Sequence, residues 1–209
     1  MSQITTFYGG DTYGNYGLFE NLDPHNINIS VWDVSNVSDM KEMFWGCHNF
    51  NCDLSKWDVS NVKDMGYMFG ECINFNSNLK NWDVRNVKDM GYMFCDCHNF
   101  NCDLLNWNVS NVKDMRYMFA RCKKFNCDLF KWNVSNVENM QWMFRSCYSF
   151  IGQGLENWKV DQVENMESMF DGCKNFNCDL SRWNVKNVKR MDEMFDDCTS
   201  LKNKPSWYK

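Results

Sequence analysis

Tryptophan recurs at Trp32, Trp57, Trp82, Trp107, Trp132, Trp158 and Trp183, every 25 residues apart from one interval of 26. A unit this short cannot enclose a core by itself, so copies of it must stack and cover one another's apolar faces. From each Trp the unit runs W-D/N-V-S-N-V-x-D/N-M-x-x-M-F-x-x-C-x-x-F-N-C-D-L. The composition then explains itself. Two unit positions absorb 14 of the 15 Met, and two more hold the Phe of Phe44 to Phe195 and of Phe50 to Phe176. A hydrophobic fraction of 44% is enough to fill a core. Two prolines and no Ser- or Gly-rich tract argue against disordered linkers.

Within the first unit, Val37, Met40, Met43, Phe44 and Cys47 share one face at a period of 3.6, which predicts a short amphipathic helix. Ser35 or Asn36 stands where an N-cap belongs, and Asp39 suits the first turn. In Leu54-Ser55-Lys56-Trp57-Asp58-Val59 the alternation predicts a strand with Trp57 and Val59 inward. The predicted fold is therefore an α/β repeat: a leucine-rich-repeat-like solenoid with one short parallel strand and one short helix per 25-residue coil. It has seven coils over residues 32–201. Residues 1–31 read as an N-terminal cap with a degenerate unit, and residues 202–209 as a C-terminal cap and tail.

The unit resembles the BspA-like leucine-rich repeats. It is closer still to the 25/26-residue surface-protein repeat of mycoplasma and Listeria lipoproteins, also found in protists and large DNA viruses. The resemblance spans residues 32–201 and rests on M-F-x-x-C-x-x-F, which is similar to A-F-x-x-C-x-x-L of BspA-type repeats. It implies adhesion or protein binding rather than catalysis. The bacterial relatives carry a lipoprotein signal that is not seen here. The start MSQITTFYGG has no basic stretch before an apolar run, and no segment is long and apolar enough for a membrane span. The expectation is an intracellular or virion protein rather than one at the cell surface.

Eleven of the 12 cysteines fall on two unit positions: Cys47, Cys72, Cys97, Cys122, Cys147, Cys173 and Cys198, then Cys52, Cys102, Cys127 and Cys178. Cys95 is extra. The readings are a ladder of buried thiols, a disulfide framework or a metal site around Cys95, Cys97, His98 and Cys102. Pairing the two sets leaves Cys72, Cys147 and Cys198 without partners, and the local spacing is not a zinc pattern. No cofactor is expected, and the three His stand in separate settings with no catalytic constellation.

Binding must use outward positions. Ten residues after each Trp come Glu42, Tyr67, Tyr92, Tyr117, Trp142, Ser168 and Glu193. Tyr67, Tyr92, Tyr117 and Trp142 are the candidate partner-binding residues, because exposed aromatics mark interface cores. The competing reading is that they stack on one another or are copies left by duplication. A second ladder, Asp33, Asp58, Asp83, Asn108, Asn133, Lys159 and Asn184, lies on the expected strand face, where Asp/Asn hydrogen bonds between coils are the competing reading. Net charge is −5 and the row Lys63, Lys88, Lys113 is short, which excludes a general nucleic-acid binder. The expected function is a non-catalytic scaffold for a protein partner, with a virion component as one setting. An adhesin and an enzyme are the alternatives.

Overall fold

The computed structural model describes residues 28–209. Each repeat forms one coil, and consecutive coils stack in register. Single parallel bridges join Asp39, Asp64, Asp89, Asp114, Asn139, Asn165 and Arg190 in sequence. Around each bridge, alternate backbone N–H groups donate to the next coil. In the second coil these are Met65 to Asp89 (3.0 Å), Tyr67 to Gly91 (2.9 Å), Phe69 to Met93 (2.9 Å) and Glu71 to Cys95 (2.7 Å).

The α/β solenoid expected above is overturned. Among the described residues there is no α-helix and no strand longer than a single bridge; the helical elements are two three-residue 3-10 turns, Ile29–Val31 and Leu155–Asn157. The segment read as a helix carries the ladder between coils. Its intervening N–H groups close tight turns three residues back, from Met68 to Met65, Gly70 to Tyr67 and Cys72 to Phe69. Left-handed residues four apart force this alternation: Tyr67 has φ 57° and Glu71 φ 62°. A right-handed helix would send every N–H back along its own axis. With two residues inverted, half of the N–H groups point along the stack. The apolar spacing is the same either way, which is why the 3.6 period misled. The stretch read as a strand is also a series of turns, among them Trp82 N–H to Leu79 and Val62 N–H to Val59.

Residues that recur in the sequence satisfy the backbone of the preceding coil. From Trp57 onward each repeat Trp donates its indole N–H to a carbonyl there, as in Trp57 to Ile29, Trp82 to Leu54, Trp107 to Leu79 and Trp132 to Leu104, all at 3.0 Å. The thiols that follow M-F-x-x do the same from the second coil on, as in Cys72 to Phe44 (3.0 Å), Cys97 to Phe69, Cys122 to Phe94 and Cys147 to Phe119 (2.9 Å each). A buried carbonyl left unpaired costs about 1–3 kcal/mol, so a Trp and a Cys in every coil are both packing and polar satisfaction. Asparagine adds a rim bond, as from Asn86 Nδ2 to the Ser60 carbonyl at 2.7 Å.

The core is built of aromatic columns. Phe69 lies 4.1 Å from Phe75 within its coil and 5.6 Å from Phe94 in the next. Both are fully buried, with Met65, Met68 and Leu79 beside them. The last coil is covered by Trp207, stacked on Trp183 at 6.4 Å, its indole bonded to the Leu180 carbonyl. The segment read as a tail thus supplies an eighth Trp to the ladder. Most of the expected N-terminal cap lies outside the described residues. Ile29 is buried, and its carbonyl accepts the Trp57 indole.

The inserted residue in the fifth unit sits in a turn that needs glycine twice. Gly152 and Gly154 have φ of 87° and 90°. A Cβ at Gly154 would lie 2.3 Å from the backbone nitrogen of Phe130, and one at Gly152 2.5 Å from Phe176. The insertion is therefore built in by close backbone approach.

Candidate functional site

Tyr67, Tyr92, Tyr117 and Trp142 occupy the first of the two left-handed positions in successive coils. That conformation turns their side chains away from the Phe core and onto the outer wall. There they meet. Tyr67 stacks on Tyr92 and Tyr92 on Tyr117 at 4.2 Å, nearly parallel, and Trp142 continues the column at 4.7 Å from Tyr117. The four are half-buried by this stacking. Trp45 lies against Tyr67 at 5.6 Å, and the column gives way to buried Ser168 in the sixth coil. Burial, then the neighbouring tyrosine, pushes the phenols of Tyr92 and Tyr117 up to about 12, so both are neutral hydrogen-bonding groups at physiological pH. Trp142 Nε1 is buried with no hydrogen-bond partner, and its ring face carries the Arg145 guanidinium at 4.0 Å.

Equivalent rings are near-parallel, so their separations measure the shift between coils at each place. The shift is 4.2 Å at Tyr92–Tyr117, 5.7 Å at Phe94–Phe119 and 6.4 Å at Trp82–Trp107. The coils fan out from the tyrosine edge to the tryptophan edge, which puts the tyrosines on the tighter, inner side of the stack.

A groove of about 210 Å³ runs beside the column. The tyrosines form one wall. The other is Glu71, Asp96 and Arg121, which hold the second left-handed position of their coils. Between the walls the position that holds Trp45 in the first coil and Arg145 in the fifth is reduced to Gly70 and Cys95, and Trp45 closes the end. Gly70 leaves the space that Trp45 fills: a Cβ there would meet the indole at 3.2 Å. Trp45 Nε1 donates to Glu71 Oε1 at 3.2 Å, and Arg121 Nη1 to Asp96 Oδ2 at 2.9 Å. A second hollow, of about 310 Å³, shares the acidic wall and adds His48 and His98. The sequence analysis named the tyrosines of this column as candidates but not Trp45, Glu71, Asp96 or Arg121, which line the groove with them. They stand at the two variable positions of M-F-x-x-C, where the repeat has no pattern to single them out.

The second proposed ladder behaves differently. Asp58, Asp83 and Asn108 bond the backbone N–H two residues on in their own coil, as Asp58 does to Ser60 at 3.0 Å. These three cap turns of their own coil, whereas Asn184 at the same position bonds Asp161 in the preceding coil. Hydrogen bonds to Ser60 hold the Asp58 carboxyl below its ordinary value. Among the described residues, which include all 12 cysteines, no disulfide forms. Cys97 and Cys102 are engaged by the Phe69 carbonyl and the Leu79 N–H, and Cys95 faces Asp96. The local cysteines thus have three separate partners and do not converge.

Residues 15–131 and 122–209 match the family described as "Mycoplasma protein of unknown function, DUF285". The chain belongs to that family. Membership establishes the DUF285 repeat and does not extend to the finer BspA-type class. No curated protein matches this DUF285 sequence. Among solved structures, "Crystal structure of TLR13-ssRNA13 complex" aligns with 79% of the DUF285 chain and 41% of its own chain, at 10% identity and a TM-score of 0.19. A likeness that slight carries no argument about fold or ligand. No helix among the described residues is long and apolar enough to cross a membrane.

Proposed function

We propose that this DUF285 chain is a non-catalytic repeat scaffold that binds a protein partner on the face made by Tyr67, Tyr92, Tyr117 and Trp142. The observation that carries the reading is the groove along this column. Exposed apolar side chains such as Phe130, Tyr148 and Ile151 lie outside this groove. Within it rigid aromatic rings, neutral phenols and charged side chains line one concavity. Aromatic and arginine side chains around a groove are the composition of interface centres. The rings are already ordered by stacking, so little side-chain entropy is lost when a partner covers them.

The test compares three forms of the full chain for capture of partner from the native source: wild type, Tyr92→Ser with Tyr117→Ser, and a control pair, Lys56→Ser with Lys131→Ser, away from the groove. The expected outcome is loss of capture in the tyrosine pair alone, with a melting temperature that still shows a cooperative fold. A tyrosine pair with lowered stability and unchanged capture would show that the column is only structural.

A further inference from the structure

Two arginines of this face show how it holds a guanidinium. Arg145 lies over the ring of Trp142 at 4.0 Å, while its Nε is 2.8 Å from Asp171 in the next coil. Arg121, in the groove with Tyr117, reaches Asp96 in the preceding coil at 2.9 Å. In both cases a planar cation sits beside the aromatic column and bonds a carboxylate one coil away. The column continues through Tyr67 and Tyr92, and Glu71 continues the acidic wall. There, however, the position that supplies Arg145 in the fifth coil is Gly70 or Cys95. Among the described residues no lysine or arginine pairs with Glu71, and the Trp45 indole fixes one of its carboxylate oxygens.

We propose that the groove between Trp45, Tyr67, Tyr92 and Glu71 takes the guanidinium of an arginine carried by the partner protein. This deepens the scaffold reading and rests on it. The chemistry selects arginine over lysine. A guanidinium is flat, stacks on aromatic surface, and donates in a fixed fork that a carboxylate accepts. The net charge of −5 favours approach of a basic partner.

The test uses the full chain and three peptides: hexa-arginine, hexalysine and hexaglutamate. The readout is the indole N–H resonance of Trp45, assigned by its disappearance in Trp45→Phe. Hexa-arginine should shift it saturably, hexalysine more weakly, and hexaglutamate not at all. Glu71→Gln should weaken hexa-arginine roughly tenfold, the size of one charge-assisted hydrogen bond. Asp179→Asn removes the same charge from an exposed carboxylate bonded to its own turn and should leave binding unchanged. Equal weakening by both variants would mean attraction to net charge alone and would overturn the proposal, as would no Trp45 shift or a shift with hexaglutamate. Partner capture that needs the tyrosines but survives Glu71→Gln, with Trp45 silent to hexa-arginine, would sink this inference and leave the scaffold standing.

Discussion

Phe69, Phe94 and Phe119 face one side of the coil backbone, and Tyr67, Tyr92 and Tyr117, two residues earlier, face the other. Both columns repeat once per coil. The phenylalanines are fully buried and locked on several sides: Phe94 stacks with Phe69, Phe100 and Phe119 and tilts against Trp107. The tyrosines touch mainly the ring above and the ring below. The inner position is Phe in all seven units, whereas the outer one runs Glu, Tyr, Tyr, Tyr, Trp, Ser, Glu. A position that must fill space on every side has one solution. A position that shares only one axis with its neighbours can be varied, and so can be put to use in binding.

That contrast can be broken from the inside first. Phe94→Ala should cost about 3–5 kcal/mol, since the coils above and below cannot collapse into the gap. Denaturant unfolding measures it, and a cost near that of an outer-column change would erase the distinction. Trp107→Phe keeps an aromatic ring but strips the indole donor from the Leu79 carbonyl. It should cost about 1–3 kcal/mol, the penalty for orphaning a buried acceptor.

Outside, the strain is in the backbone. Ser146 is left-handed at φ 56° where the first and sixth units place Gly46 and Gly172. Ser146→Gly removes a left-handed penalty of roughly 1–2 kcal/mol and gives back part of it as unfolded-chain entropy, for a net gain of about 0.5–1 kcal/mol. A thermal melt that moves down would contradict this.

The smallest effect is electrostatic. Asp64 and Asp114 belong to a column of bridge-position carboxylates continued by Asn139 and Asn165. Burial raises both above the ordinary carboxylate value, partly opposed by the N–H each one accepts; Asp89 in the same column raises them further. A carboxyl raised on folding supports the fold when protonated, and that support is lost as pH climbs from the usual carboxylate value through the raised one. Asp64→Asn should therefore be more stable than wild type at neutral pH, with the gain fading once the medium falls below the ordinary carboxylate range. A gain that persists in acid would show another cause.

The repeat and its buried positions were legible in the sequence, but the fold class was not. The period, the inward set of Trp, Val, Met, Phe, Cys and Leu, and the stacking of units all followed from Trp32 to Trp183 and the residues spaced from them. The helix did not survive, because Met40, Met43, Phe44 and Cys47 are buried alike whether the chain is helical or turned out at Glu42 and Gly46. The eighth Trp was hidden because only its indole, not its unit, recurs at Trp207. At the site, the tyrosine positions were readable. The groove was not, since it arises from Gly70 and Cys95 lying in line with Trp45 and Glu71 on different coils.

The sequence alone determined which side chains share an interior, because burial follows hydrophobicity and period. The tertiary structure alone decided where each backbone N–H points. The turns three residues back and the bonds to the next coil exist only once a next coil is present. Cooperation between coils, rather than local propensity, set the left-handed residues, and with them the outward column of tyrosines.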